Sequence, residues 1–232
     1  MNPLLAFDTA TERTHIAVEA HGRIWTHEGA GGARASATFL PDVMALLEEA
    51  RVRVAELDAV VFGRGPGAFT GLRTACAVAQ GLAWGARKLV LPIDTLLAIA
   101  EDARGEVVEL RVWALLDARM GELYAAEYAH DATGWRTVVA PMLTSPDHLR
   151  QRWDESAPEV IAGEALALFG ARPDARGARR IETAAPRGAG LLKLGRALQA
   201  RGGAVDAALA LPLYLRDKVA ETTAERARRV AA

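Results

Sequence analysis

Short apolar runs alternate with helical periodicities along this chain. Residues 3–8 (PLLAFD) are apolar up to an acidic end. Residues 14–20 and 23–28 are joined by His21-Gly22, and a short loop with glycine between two β-rich runs closes a hairpin. After a Gly/Ala-rich stretch at 29–35, Leu40, Val43, Met44, Leu46 and Leu47 recur at helical spacing through Ala50. Residues 57–62 (LDAVVF) read as a buried strand, 63–69 as a loop, about 70–85 as an Ala-rich helix and 88–93 as another strand. Asp94-Thr95 then starts a helix to about 103. The first hundred residues therefore predict βββαβαβα.

The order then begins again. After a linker at 104–109, residues 110–117 form a strand with an acidic end at Asp117, as the first strand has at Asp8. Strands at 122–129 and 135–140 follow, with a turn at Asp131-Ala132-Thr133-Gly134 between them. Ser145-Pro146-Asp147 starts a helix to about Trp153. A fourth strand lies at 159–162, the pattern loosens from 164 to 187, and a helix at about 189–201 stops at Gly202-Gly203. Two βββαβα-type units in tandem predict a duplicated α/β fold with a cleft between its halves, the units spanning 1–103 and 104–211.

Composition narrows the function. The 232 residues are 51% hydrophobic and 25% charged, which fits a globular chain that buries a core. A formal net charge of -1 lacks the basic surplus with which a protein grips nucleic acid unaided, so a role on RNA would run through a partner. Cys76 is the single cysteine, which excludes an intrachain disulfide and a cysteine-built zinc cluster. The start has no basic n-region and no apolar run reaches membrane-span length, so a cytoplasmic protein is expected.

The densest local feature is GRGPGAFTGLR, 63–73, between a buried strand and a helix. Helix N-terminal amides attract anions, so Gly65, Gly67 and Thr70, with Asp8 and Thr9 from the first strand end, are candidates to face a nucleotide or another anion. The other reading is a tight strand-to-helix turn that needs small residues. Gly63, Gly65 and Ala68 satisfy G-x-G-x-x-[GA], but three strands precede them and Pro66 brings no N–H. Hydrolase chemistry is poorly supplied: Ser36, Ser145 and Ser156 lie outside G-x-S-x-G, and the five histidines form no i,i+4 pair for a metal. His15, His21 and His27 of the first hairpin read as solvent-facing. In the helix at 70–85, Ala75, Ala79 and Ala83 recur every fourth residue beside Val78 and Leu82, and a small-residue stripe lets another element approach closely. The first helix is apolar on more than one side. Both helices either pack only on their own sheet or also present an outer stripe to a partner. Arg226, Arg228 and Arg229 near the end are candidates for RNA contact or a solvated terminus.

Taken together, GRGPGAFTGLR (63–73), AVAQGLAWG (77–85), LAFDTATE (5–12), DARMGELYAAEY (117–128) and YLRDKVA (214–220) resemble the TsaB (YeaZ) family along nearly the whole chain. The resemblance implies two RNase H-like domains of the actin/Hsp70/sugar-kinase superfamily, with the C-terminal segment from about 212 to 232 packing back on the first. It implies a non-catalytic scaffold for a TsaD-type subunit, with a TsaE-type ATPase as a further partner, in the complex that transfers threonylcarbamoyl to N6 of adenosine 37 in tRNAs reading ANN codons. Contact with tRNA would run only through the complex. Pairing is expected through the first two long helices, at Leu40, Val43, Met44, Leu47, Ala75, Val78, Ala79 and Leu82, as a heterodimer or, alone, a homodimer. No metal or catalytic residue is implied, since the H-x-x-x-H pair of the catalytic subunit has no match here, and ATP or ADP enters only at the joint of the complex. The family often carries a His just before the first helix, where this chain has Ala35. The rival readings are a kinase-like nucleotide-binding enzyme using Asp8 and the 63–71 loop, and a metalloprotease.

Overall fold

The computed structural model of the chain describes residues 2–32, 35–169 and 177–216. At its centre lies β1 (Leu4–Asp8), every residue of which is buried. A strand covered on both faces needs apolar side chains at successive positions rather than alternate ones, which is why LLAF reads as a run. β1 pairs antiparallel with β2 (Arg13–Ala20), which pairs antiparallel with β3 (Arg23–Ala30). On its other side β1 pairs parallel with β4 (Ala59–Gly65), and β4 with β5 (Leu89–Asp94). The sheet order is β3-β2-β1-β4-β5.

The second sheet repeats this plan. β6 (Leu110–Arg119) takes the place of β1, followed by β7 (Glu122–Asp131), β8 (Gly134–Thr144), β9 (Val160–Ala162) and β10 (Arg179–Ile181), in the order β10-β9-β6-β7-β8. The chain is thus an α/β protein of two tandem RNase H-like domains. β10 was not foreseen, because three residues carry too little pattern to register.

Helices fill the layers. α1 (Ala35–Glu49) and α2 (Phe69–Ala86) cover the outer face of the first sheet, where Phe39, Val43, Ala75 and Ala79 meet Leu5, Phe7, Val60 and Phe62. α4 (Pro146–Glu155) covers the outer face of the second sheet through Leu149 and Trp153. α3 (Thr95–Arg104) and α5 (Gly188–Ala200) lie between the sheets. Each large side chain buried this way contributes about 1.5–3 kcal/mol.

The two inner helices cross between the expected units. α3, counted with the first unit, packs Leu96, Ile99, Ala100 and Ala103 on the second sheet. α5, counted with the second, packs Leu191, Leu192 and Leu194 on the first. Its backbone lies so close that a Cβ at Gly195 would sit 2.5 Å from a Val61 methyl. Contacts with the first domain begin at Gly188, ahead of the segment expected from about 212, whose described part also reaches it. They continue through Val205, whose N–H donates to the Val90 carbonyl at 2.9 Å, and Leu213, whose N–H donates to the Arg64 carbonyl at 2.7 Å. The physical reason is coverage: α3 fills the space between the sheets and packs on both, Ala98 against the first and Leu96 and Ile99 against the second, while α5 covers the rest of the first sheet's inner face. Residues 217–232, with Arg226, Arg228 and Arg229, lie outside the described residues. Among the described residues no helix is long and apolar enough to cross a membrane.

Candidate functional site

The glycine-rich turn is filled by protein. Asp8 is fully buried; its Oδ1 accepts the Ala10 N–H at 2.6 Å and its Oδ2 accepts the Thr95 hydroxyl at 2.6 Å. A Cβ at Gly63 would lie 1.7 Å from Asp8 Oδ2, so the carboxylate occupies the space above that glycine. Gly67 and Gly71 touch the same turn, where a Cβ would meet the carbonyl of Ala10 at 2.6 Å and that of Thr9 at 1.9 Å. Thr9 is buried, its hydroxyl donating to the Gly71 carbonyl at 2.6 Å, and the Ala68 N–H donates to the Ala10 carbonyl at 2.8 Å. Gly65 has φ +110, and a Cβ there would strike Leu72 and the Leu213 carbonyl. Gly67 and Gly71 are needed because two backbones meet, Gly63 because a buried carboxylate sits above it. Of the five residues expected to face an anion, only Gly67 lines the interdomain cleft. Asp8, Thr9 and Gly65 are packed within the turn, and Thr70 is exposed on α2 with its carbonyl accepting from Thr74.

Burial pushes the Asp8 carboxyl up to about 6, against its hydrogen bonds from Thr95 and Ala10. His15, read as solvent-facing, is in fact buried on β2; among the described residues its ring nitrogens have no hydrogen-bond partner, with Glu28 Oε1 3.5 Å from Nδ1. Burial first, then Arg187 and Arg13, hold its pKa below the usual value, opposed by Glu28 and Asp102. The misreading has a plain cause: β2 is covered on both faces, so the alternation that would mark an outward residue is absent.

The cleft between the domains holds a cavity of about 380 Å³, bounded by the β1–β2 turn, the β6–β7 turn and residues 213–216. The two turns match: Asp117 Oδ1 accepts the Arg119 N–H at 2.6 Å, as Asp8 accepts from Ala10. Arg119 bridges the turns by an ion pair with Glu12 and lies 3.2 Å from Asp117. Glu164 closes one side, its carboxyl raised by burial, lowered by Arg119 and raised again by Asp117 and Glu12. Arg216 is engaged by the Ala118 carbonyl and Glu122. Three carboxylates thus stand against two arginines that are already paired, which is the wrong balance for phosphates. Among the described residues no group of three or more His, Cys, Asp or Glu is placed to hold a metal.

The outer helices present the third candidate. Val43, Leu47, Ala75 and Ala79, expected at a partner, are buried at 1% exposure or less against the chain's own sheet. Val78 and Leu82 are half-buried beside them. Only Leu40 and Met44 of the expected set stand out from the surface, at 45% and 44% exposure. The sheet needs the small alanines of α2 so that the helix can approach, and this turns the opposite stripe outward: Ala77, Gly81 and Gly85, all exposed, with Trp84 at 71% exposure. Sequence reasoning missed this stripe. Its signal was Gly81 and Gly85 inside a helix, where glycine costs about 1 kcal/mol relative to alanine. Among the described residues no packing explains them, since a Cβ at either would meet nothing within 4 Å.

Comparison with known proteins adds the following. The family model described as "TsaD: tRNA N6-adenosine threonylcarbamoyltransferase" matches residues 32–171. The chain is 32% identical over 221 residues to the tRNA threonylcarbamoyladenosine biosynthesis protein TsaB of Escherichia coli (strain K12), covering 94% of this chain and 96% of that protein. It is 30% identical over 226 residues to the TsaB of Haemophilus influenzae, covering 93% and 94%. The solved structure of YeaZ from Pseudomonas aeruginosa superposes with a TM-score of 0.80 at 35% identity, over 93% of this chain and all of that one.

Proposed function

The chain belongs to the TsaB (YeaZ) family, and from that premise we propose that it serves tRNA threonylcarbamoyladenosine formation as a docking subunit without a catalytic centre of its own. In this reading α1 and α2 seat it on a TsaD-type transferase, and the pairing holds that partner in a competent shape. A TsaE-type ATPase joins the same complex, and tRNA is met only through it. A second copy of the chain covers the face when the transferase is absent.

The observation that carries the reading is the outer face of α1 and α2: exposed Leu40, Met44 and Trp84 beside helix glycines that nothing among the described residues requires. Small residues let a partner helix come close, and large apolar ones beside them supply buried area. The cleft supports the same conclusion from the other side, because its turn glycines are filled by Asp8 and Ala10 and its lining is acid-rich. That counts against the rival kinase-like reading.

The test is sedimentation of the purified chain mixed with the TsaD-type subunit of the same organism. Gly81→Arg and Met44→Glu change exposed positions, so both variants should fold. Each should weaken the heterodimer at least tenfold. Ala79→Arg is a poor probe, since Ala79 is buried in the chain's own core. Association of both variants at wild-type affinity would remove the docking face from the account.

A further inference from the structure

Residues 205–214 form a strap along one flank of α2. At one end Val205 exchanges both backbone hydrogen bonds with Val90 near the start of β5, each at 2.9 Å. At the other end Tyr214 lies against Phe69, the first residue of α2. The strap therefore runs antiparallel to α2. Between its ends the Ala210 carbonyl accepts from the Gln80 amide at 2.9 Å and from the Cys76 thiol at 3.2 Å. On the outer face of the first sheet α1 packs over β2 and β3, α2 packs over β4, and the strap joins the edge at β5. α2 thus lies between α1 and the strap.

The side chains of the strap are the wrong way round for a segment that only covers a helix. Ala207 and Ala210 are buried with the alanines of α2, while Leu209 and Leu211 stand out at 68% and 66% exposure. Burying a leucine stabilises a chain more than burying an alanine, so a purely internal strap turns its large residues inward. α2 shows the same inversion, with Ala75, Ala79 and Ala83 inside and Trp84 outside. Two neighbouring elements that keep small residues inward and large apolar ones outward form a continuous apolar surface, the mark of a contact site. Gln80, which holds the strap, adjoins Gly81 and is one helical turn from Trp84, so Leu209 and Leu211 flank the exposed stripe of α2. Ala77 and Gly81 make a low floor between them and the α1 residues Leu40 and Met44.

We propose that the strap is the second wall of the docking face: the transferase partner seats an apolar helix on the floor of α2, and Leu209 and Leu211 close over its far side. The proposal rests on the docking reading above and extends it to a segment outside α1 and α2. Size supports this occupant. The exposed described positions of α1 and α2 do not by themselves reach the roughly 20–30 residues a side of a standard stable interface, and the strap adds apolar area continuous with them. Large apolar anchors around a close helix contact are what such an interface needs at its centre.

The test is sedimentation of the full chain carrying Leu209→Glu/Leu211→Glu, alone and mixed with the TsaD-type subunit, beside Gly81→Arg. Both leucines are exposed, so the double variant should keep the wild-type circular dichroism and melting temperature. It should weaken the heterodimer at least tenfold. Leu209→Ala/Leu211→Ala, which removes apolar area without adding charge, should weaken it several-fold. Wild-type affinity in both strap variants with loss in Gly81→Arg would overturn the strap proposal and leave the docking face standing, whereas wild-type affinity in all three would remove both. A melting temperature several degrees lower in the alanine variant would mean that the leucines are covered within the chain itself. Loss of self-association alone would assign the strap to a second copy, and either of these results overturns the proposal.

Discussion

Asp8 is a fully buried carboxylate, and its chemistry sets a testable sign. Its folded pKa of about 6 stands above its ordinary value of 3.8, so between those values the native state holds a proton that the unfolded chain has released. Stability from this group is present at low pH and is lost as pH rises through that window. At neutral pH the buried charge costs about 3 kcal/mol. Asp8→Asn keeps an oxygen for the Ala10 N–H and places an amide toward the Thr95 hydroxyl. It should raise the melting temperature by several degrees at pH 7.5 and leave it nearly unchanged at pH 3.5, as thermal unfolding followed by circular dichroism would read. A gain of the same size at both pH values would contradict the assignment. His15 acts in the opposite sense: its folded pKa is depressed, so its contribution is present above its ordinary value and falls away as pH drops below it. These carboxyl and imidazole groups were visible in the sequence, but their burial was not, because both sit on strands covered on two faces.

At the scale of elements, most of the fold was legible. The period-two and unbroken apolar runs mark β1 to β9, and the periodicities of 40–50, 70–85 and 189–201 mark α1, α2 and α5. Two things escaped, each for a physical reason. The phase of α2 was ambiguous because small residues line both of its sides: Ala75, Ala79 and Ala83 face in, while Ala77, Gly81 and Gly85 face out. Sequence pattern alone does not say which stripe a sheet claims. The destinations of α3 and α5 escaped as well, since an apolar helix face does not name the sheet that will cover it. The exchange of these helices gives a prediction of its own. Gly195→Leu forces a side chain against Val61 and should lift α5 from the first sheet, destabilising the chain by about 1–3 kcal/mol. Hydrogen exchange should then speed up in both β4 and α3, because α5 packs against each of them. A change confined to α5 would mean that the inner helices do not couple the two domains. The candidate turn at 63–71 was legible as a place where backbones come close, and the structure identifies the visitor as the β1–β2 turn.

For the whole molecule, the superfamily plan puts a cleft between two domains and invites a reading as an enzyme. Here that cleft is narrowed by protein contacts: Arg119 reaches Glu12 across the turns, and Leu213 on Arg64 and Tyr214 against Phe69, with ring centroids 5.4 Å apart, bring the C-terminal segment to its edge. The unspent surface lies instead on the outer helices. An account in which this chain works by docking makes activity of the assembled complex follow the outer face and not the cleft. The most direct measurement is threonylcarbamoyladenosine formation on tRNA by the reconstituted complex, comparing Gly81→Arg on the face with Glu164→Gln in the cleft at equal subunit concentrations. The account predicts that Gly81→Arg lowers activity at least tenfold, in step with its lost association, and that Glu164→Gln stays within about twofold of wild type, a change of under 0.5 kcal/mol in the barrier. Loss of activity in Glu164→Gln with intact association, or full activity in Gly81→Arg, would contradict it.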